Sequence, residues 1–298
     1  MNKILITGAS GFLGRDLCKE FSSYQVHTLG RKIENDIVCD LSNKIPALKE
    51  CYDLVIHAAG KAHSVPINEV ENDLFLQGNH QSTINLLKAL STNLPKMIVF
   101  ISSVAVYGVE EGININEEFK LKGNSPYALS KILAEKELVA FGKNFNVAVV
   151  CLRLPLICGV NPPGNLGSLI NAIKNGKYVR FGKAQAKKSM IAISDVSSFI
   201  KAMPKGSNGV FNLTDGIDHQ FYEVEDHIKD DLGKNYIFKL PYFFGLLIAK
   251  LGDTLKILPI NSSKFKKMNS DLTFSNEKAL SVPDWKPTNA LNSLKHKL

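Results

Sequence analysis

The feature that most constrains the fold is Gly8-Ala9-Ser10-Gly11-Phe12-Leu13-Gly14, which follows the apolar run Lys3-Ile4-Leu5-Ile6-Thr7 and opens a helical pattern near residues 12–22. A nearly continuous apolar run ending in glycine reads as a buried parallel strand. Glycine lets the backbone turn tightly, and a helix N-terminus presents free N–H groups and the positive end of its dipole. The spacing G-x-x-G-x-x-G therefore predicts a cradle for a dinucleotide pyrophosphate, with Gly8, Ser10, Gly11, Phe12, Leu13 and Gly14 in reach of it. An ordinary tight strand-to-helix turn is the plainer alternative.

The strand–helix alternation continues. Strands are predicted at 25–29, 36–39, 53–59, 97–102 and 147–153, with helices at 69–90 and from Pro126 to about Phe141. Repeated units of this kind imply an α/β protein, here a Rossmann-type doubly wound parallel sheet covered on both faces. Beyond Arg153 the pattern loosens, and Pro155, Pro162, Pro163 and Gly164 mark a boundary. The expected division is a dinucleotide-binding domain of residues 1–155, with a return segment at about 189–214. A smaller interleaved C-terminal substrate lobe takes 156–188 and 215–298.

Composition removes several classes. The 298 residues carry a formal charge of +8, but the lysines are scattered, so no nucleic-acid arm is read. Five cysteines without a Cys-x-x-Cys pair suggest neither a disulfide framework nor a metal site, and fit a cytoplasmic protein. No signal peptide is expected at the N-terminus. The stretch from Pro241 to Pro259 is apolar but broken by Lys250, Asp253 and Lys256. It is read as an amphipathic helix packed on the fold, with a membrane-surface role as the lesser alternative and no transmembrane segment.

The end of the second strand bears on the coenzyme. An acidic residue there suits the adenosine ribose of NAD, and a base suits the 2′-phosphate of NADP. Gly30-Arg31-Lys32 has no acid, so Arg31 favours NADP(H), with NAD(H) still open; Asp40 and Leu41, after the third strand, would border the adenine. The alternative is two surface cations in a basic protein.

Tyr127-Ala128-Leu129-Ser130-Lys131 puts a tyrosine and a lysine at i and i+4, on one face of the predicted helix. A lysine ammonium beside a phenol favours the phenolate, which makes the tyrosine an acid or base near neutral pH. Ser102-Ser103 end the fifth predicted strand, where a hydroxyl is placed to hold a substrate oxygen. A lone Y-x-x-x-K is often only a solvated helix face. The glycine loop, the strand-end serines and the Tyr/Lys helix in this order are much harder to reach by chance.

With these residues the chain resembles an extended short-chain dehydrogenase/reductase of the NAD-dependent epimerase/dehydratase family. The likeness rests on the glycine loop, His57-Ala58-Ala59-Gly60, Asn79, the run Ser102 to Gly108, and Tyr127 with Lys131. It implies that Ser103 polarises a sugar carbonyl or hydroxyl, that Tyr127 is the acid/base, and that Lys131 also binds the nicotinamide ribose. It further implies cofactor contacts at Ala58, Ala59, Gly60, Asn79, Tyr127 and Leu154, and substrate contacts at Ser103, Asn165 and Lys188. Lys188 stands where the family usually has arginine; lysine keeps the charge and loses the bidentate fork. His57 and His63 are read as packing or hydrogen-bonding groups, Tyr107 as packing near the site or lining the sugar pocket, and Trp285 as structural. The helices at 69–90 and 126–142 imply a homodimer by analogy.

Departures from the family narrow the choice. Ser103-Val104 replaces the Asp-Glu pair of the 4,6-dehydratases, and Arg153-Leu154-Pro155-Leu156 lacks the asparagine usual in UDP-galactose-type epimerases. With Arg31, the pattern looks more like the UDP-N-acetylquinovosamine 4-reductase/dehydrogenase group. The expectation is reduction of the 4-keto group of a UDP-linked 6-deoxy-N-acetylhexosamine in surface polysaccharide biosynthesis. NAD-dependent 4-epimerisation of a UDP-hexose or UDP-N-acetylhexosamine is the alternative. A non-catalytic dinucleotide sensor or interaction protein is the alternative of another class.

Overall fold

The computed structural model describes residues 2–62, 69–255 and 260–296. His63 lies outside them. In chain order the first half contains β1 (Lys3–Thr7), α1 (Phe12–Glu20), β2 (Gln25–Gly30), β3 (Ile37–Val38), β4 (Leu54–His57) and α2 (Glu69–Phe75). It continues with α3 (Ser82–Leu90), β5 (Met97–Ser103), β6 (Gly112–Ile115), α4 (Pro126–Phe145) and β7 (Ala148–Leu154). The central sheet has seven parallel strands, ordered β3, β2, β1, β4, β5, β7 and an edge strand, Gly209–Asn212.

The inner strands β1, β4, β5 and β7 are largely apolar because both faces of the sheet are covered there. Ile4, Ile6, Leu54, Ile56, Met97 and Val99 share one core with Leu13 and Leu17 of α1 and Val196 and Phe199 of the helix Ile193–Ala202. The intervening Leu5, Val55, Ile98 and Phe100 share the opposite core with Leu86 and Leu90 of α3 and Ala134, Leu138 and Phe141 of α4. Strand order reverses between β1 and β4, the place where an open α/β sheet leaves a crevice beyond its strand ends.

The remaining chain builds smaller pieces around this sheet. Met190–Ala192 pairs in parallel with Leu156–Cys158, and β6 joins a second sheet with Leu272–Phe274, Lys187–Lys188 and His219–Gln220. A separate core gathers Leu166, Leu169 and Ile173 with Val224 and Ile228. Trp285 is buried, and its indole N–H donates to the Asp195 carbonyl at 3.1 Å. The structure thus gives it a structural place.

Two elements differ from the sequence expectation. The helix predicted at 69–90 holds a π-helical segment, Leu76–Gln81, between α2 and α3. The apolar helix, Tyr242–Thr254, packs through the small residues Gly245, Ala249 and Gly252, and leaves its large side chains outside. A Cβ at Gly245 would lie 2.5 Å from the Phe265 ring, so only glycine allows this approach.

Candidate active site

Parallel strands bring their carboxyl ends to one edge. Thr7 and His57 are register partners there, as are Ser103 and Leu154. Gly8 turns the chain away from β1 with φ +74°, and a Cβ on it would lie 2.7 Å from the Ala59 nitrogen. A Cβ on Gly14 would lie 2.0 Å from the Gly8 carbonyl oxygen. These glycines are therefore required by the close approach of α1 to its own loop and to the β4 end.

At the N-terminus of α1, Gly11 makes no side-chain cap, and the first turn holds no acidic residue. Uncapped N–H groups on a glycine turn, without a competing carboxylate, suit a pyrophosphate. The residues present thus fit the dinucleotide that the motif implied. Ser10 and Gly11 are exposed, Phe12 is partly buried against Gly159, and Leu13 is buried in the core.

At the end of β2, Arg31 and Lys32 are exposed, and the loop after β3 carries Asp40. Hydrogen bonds from Ser42 hold the Asp40 carboxyl below its ordinary range, and the Arg31 charge adds to this. Leu41 is buried, and its carbonyl accepts from Asn85 Nδ2 at 2.8 Å.

The β4 end is held by a chain of hydroxyls that the sequence did not reveal. The Ala59 N–H donates to Thr7 Oγ1 at 3.1 Å, and Thr7 Oγ1 lies 2.7 Å from His57 Nδ1. His57 Nε2 lies 3.0 Å from Thr83 Oγ1, whose own proton goes to the Asn79 carbonyl. That network assigns the ring proton to Nε2. Burial pushes the His57 pKa down to about 3, with the Lys131 charge acting in the same direction, so the ring is neutral.

Asn79 is buried within the π-helical segment. Its Oδ1 accepts from the Lys61 N–H at 2.8 Å, and its Nδ2 donates to Ser130 Oγ at 2.8 Å. It therefore clamps the loop after β4 to α4. Gly60 lies in this clamp, where a Cβ would sit 2.4 Å from Asn79 Oδ1 and 3.4 Å from Lys131 Nζ.

Helix α4 begins with a strong local signal. Ser125 caps it by accepting from the Ala128 N–H, and Pro126 occupies its first position. Tyr127 and Lys131 therefore fall in its first two turns. The Tyr127 ring packs edge-on to Phe75 at 6.1 Å. Ser103 Oγ accepts from the Ala105 N–H at 3.2 Å, and the Ser103 hydroxyl lies near enough to the Tyr127 phenol to favour its ionised form. Ser102 points elsewhere, donating to Glu135 Oε1 at 2.5 Å.

The expectation that Lys131 lowers the Tyr127 pKa is corrected. Burial pushes the phenol up, and the nearby Ser103 hydroxyl opposes this in part. The physical reason is where the ammonium goes. Lys131 Nζ donates to the Ile101 carbonyl at 2.8 Å and sits 4.5 Å from the Phe100 ring centroid. Burial brings the Lys131 pKa down to about 8, and the Glu135 charge holds it up.

Behind this group lies a buried ionic network. Arg153 makes two hydrogen bonds to Glu135, at 3.1 and 2.7 Å, and a third to the Tyr107 hydroxyl at 3.2 Å. The Tyr107 hydroxyl donates to Asn212 Oδ1 at 2.6 Å, and its ring stacks on Phe274. Tyr107 is fully buried, so of its two expected places it takes the packed one. Leu154, also buried, ends β7. The two expected phosphate contacts are placed differently. Asn165 is exposed in the first turn of the helix Gly164–Lys174. Lys188 Nζ donates to the carbonyls of Lys267 and Ser270 at 2.8 and 2.7 Å, so two of its three donors are engaged.

A dinucleotide cradle, and a Ser–Tyr–Lys group beyond the ends of a doubly wound sheet, define an enzyme of the oxidoreductase type. Residues 4–213 match the NAD dependent epimerase/dehydratase family, and the chain belongs to it. It is 33% identical over 237 residues to a UDP-glucose 4-epimerase of Vibrio cholerae, covering 72% of this chain and 71% of that protein. It is 28% identical over 296 residues to the N-acetyl-alpha-D-glucosaminyl-diphospho-ditrans,octacis-undecaprenol 4-epimerase of Escherichia coli O157:H7, covering 92% and 87%. A GDP-6-deoxy-D-mannose reductase of Pseudomonas aeruginosa is 27% identical over 253 residues, covering 76% and 79%. The fold is shared with RMD from Pseudomonas aeruginosa complexed with NADPH, at TM-score 0.71 and 23% identity over 99% of this chain and 97% of that one.

Proposed function

We propose that this enzyme reduces the 4-keto group of a UDP-linked 6-deoxy-N-acetylhexosamine with NADPH, in surface polysaccharide biosynthesis. The observation that carries the chemistry is the placement of the Ser103 hydroxyl, at the end of β5, beside the Tyr127 phenol in the first turn of α4. Because the Ser103 oxygen already takes the Ala105 N–H, the hydroxyl proton is free to point towards the phenol, or towards a sugar oxygen between them. In this reading Ser103 holds the C4 oxygen and Tyr127 gives it a proton as the carbonyl becomes an alcohol. The coenzyme, when bound, supplies the hydride to C4. Lys131 would place a positive charge on the nicotinamide ribose side of Tyr127, and Asn79 with Gly60 would fix the loop it faces. Ser103-Val104 offers no carboxylate pair for an elimination step.

The exposed Arg31 and Lys32, with no acid at the end of β2, support NADP(H) and hence reduction. The second reading is 4-epimerisation, in which Tyr127 first takes the proton and the hydride returns to the other face; it is favoured by the two 4-epimerase relatives. A non-catalytic role is disfavoured because Ser103, Tyr127 and Lys131 stand together. A homodimer formed through α2, α3 and α4 belongs to the same proposal, supported by exposed Leu129 and Val139 on α4.

The test is incubation with UDP-2-acetamido-2,6-dideoxy-4-ketohexose and either coenzyme. Stoichiometric loss of NADPH absorbance supports reduction. No loss, together with interconversion of UDP-GlcNAc and UDP-GalNAc and a tightly held NAD, would replace reduction by epimerisation.

A further inference from the structure

The helix Tyr242–Thr254 is built inside out. Its buried face consists of Gly245, Ala249 and Gly252, while Phe243, Leu247 and Leu251 are 63%, 43% and 54% exposed. Phe244, Leu246 and Leu255 are also exposed beside them, as is Phe238 on the preceding strand. Water is a poor neighbour for so many large apolar side chains on one surface, and such patches mark sites of association. The helix does not bury its large residues when it packs on the fold, because the close approach to Phe265 and Ile260 admits only small ones.

The charge around the patch selects its partner. Residues 234–271 hold seven lysines, two aspartates and no glutamate or arginine. Lys239 and Lys250 are exposed and make no ion pair among the described residues. Lys266 and Lys267 lie on the neighbouring helix Ser262–Asn269 and pair with Glu111 and Glu110, at 3.4 and 2.9 Å. All four of those side chains are solvent-exposed, so their pairing is weak and open to exchange with another anion. Asp253 is turned back to cap Ser262. An apolar, aromatic face rimmed by lysine is complementary to a surface that is apolar inside and anionic outside. Among the described residues no helix is long and apolar enough to cross a membrane, so the helix would lie on one.

We propose that this face docks the enzyme on an anionic lipid bilayer, with Phe243, Leu247 and Leu251 entering the acyl boundary and Lys239 and Lys250 meeting lipid phosphates. The test is co-sedimentation of the full chain with vesicles of phosphatidylcholine alone or mixed with phosphatidylglycerol. Binding is expected to the mixed vesicles and to weaken as salt rises. The triple variant Phe243→Ser, Leu247→Ser, Leu251→Ser removes only exposed side chains and should lower the partition coefficient about tenfold or more. Lys239→Ala with Lys250→Ala should lower it less and flatten the salt dependence. Circular dichroism and coenzyme binding, unchanged in both variants, would separate docking from misfolding. Absence of binding to mixed vesicles would overturn the proposal, as would undiminished binding of the triple variant. If the wild type ignores vesicles but forms an oligomer that the triple variant dissolves, the face is a contact between copies and the lipid proposal is wrong.

Discussion

Lys131 Nζ donates to the carbonyl oxygen of Ile101 at 2.8 Å, which turns the ammonium under the sheet end and away from water. Its charge is thus held by a backbone carbonyl, the Phe100 ring and the Glu135 carboxylate. With a pKa near 8, Lys131 loses its proton as pH rises through that value. Reduction also needs Tyr127 protonated, which burial assures over this range. The expected outcome is a kcat/KM for reduction that is flat at neutral pH and falls above about 8. Lys131→Met should lower kcat by about 10²-fold or more and remove that limb. A pH profile of both proteins checks this.

Glu135 links Lys131 to the buried Arg153. Replacing it with alanine leaves the guanidinium unpaired, which costs about 3–5 kcal/mol of stability in urea unfolding. Glu135→Gln is milder, and it also removes the negative charge that holds the Lys131 pKa up. Its alkaline limb should therefore move to lower pH. An unmoved limb would show that Glu135 acts on the fold alone.

His57 makes an acid-stability prediction. The unfolded chain protonates this ring at its ordinary 6.5, whereas the folded protein resists until about 3. Between those values the unfolded state binds more protons, so stability falls as pH drops from about 6.5 towards 3 and is unaffected above that window. His57→Gln should flatten this part of the profile in thermal unfolding at several pH values.

Arg31 tests coenzyme preference separately from catalysis. Arg31→Ala should raise the KM for NADPH by about tenfold, the scale of one charge-assisted hydrogen bond, and leave that for NADH nearly unchanged. Equal KM values in wild type and variant would make Arg31 a surface cation only.

What was legible in the sequence was local. Gly8, Gly11 and Gly14 announce a turn because their spacing follows an apolar strand, and Ser125-Pro126 announces the start of α4, so Tyr127 and Lys131 could be put on one face. Interactions that depend on distant segments were not. Thr7 and Thr83 meet only through His57, from three separate elements. The Glu135–Arg153 pair joins a helix to a strand. The π-helical segment that buries Asn79 looks like ordinary helix in the residue pattern. The edge strand Gly209–Asn212 is defined by its pairing with β7 rather than by its own four residues. The apolar stretch from Pro241 reads as a packed helix, but the sequence does not tell which residues a close approach will exclude. Here the glycines took the inner face and the phenylalanines the outer one.

In the proposed reaction the hydride goes to the sugar C4 and Tyr127 gives the proton. The most direct measurement uses NADPH deuterated at the transferable position, the UDP-linked 4-keto sugar, and NMR of the product. One deuterium at C4 is expected for each coenzyme oxidised, with a rate lowered by about 10²–10⁴-fold in Tyr127→Phe and coenzyme binding retained. Deuterium at another carbon, or undiminished turnover by Tyr127→Phe, would contradict that reaction.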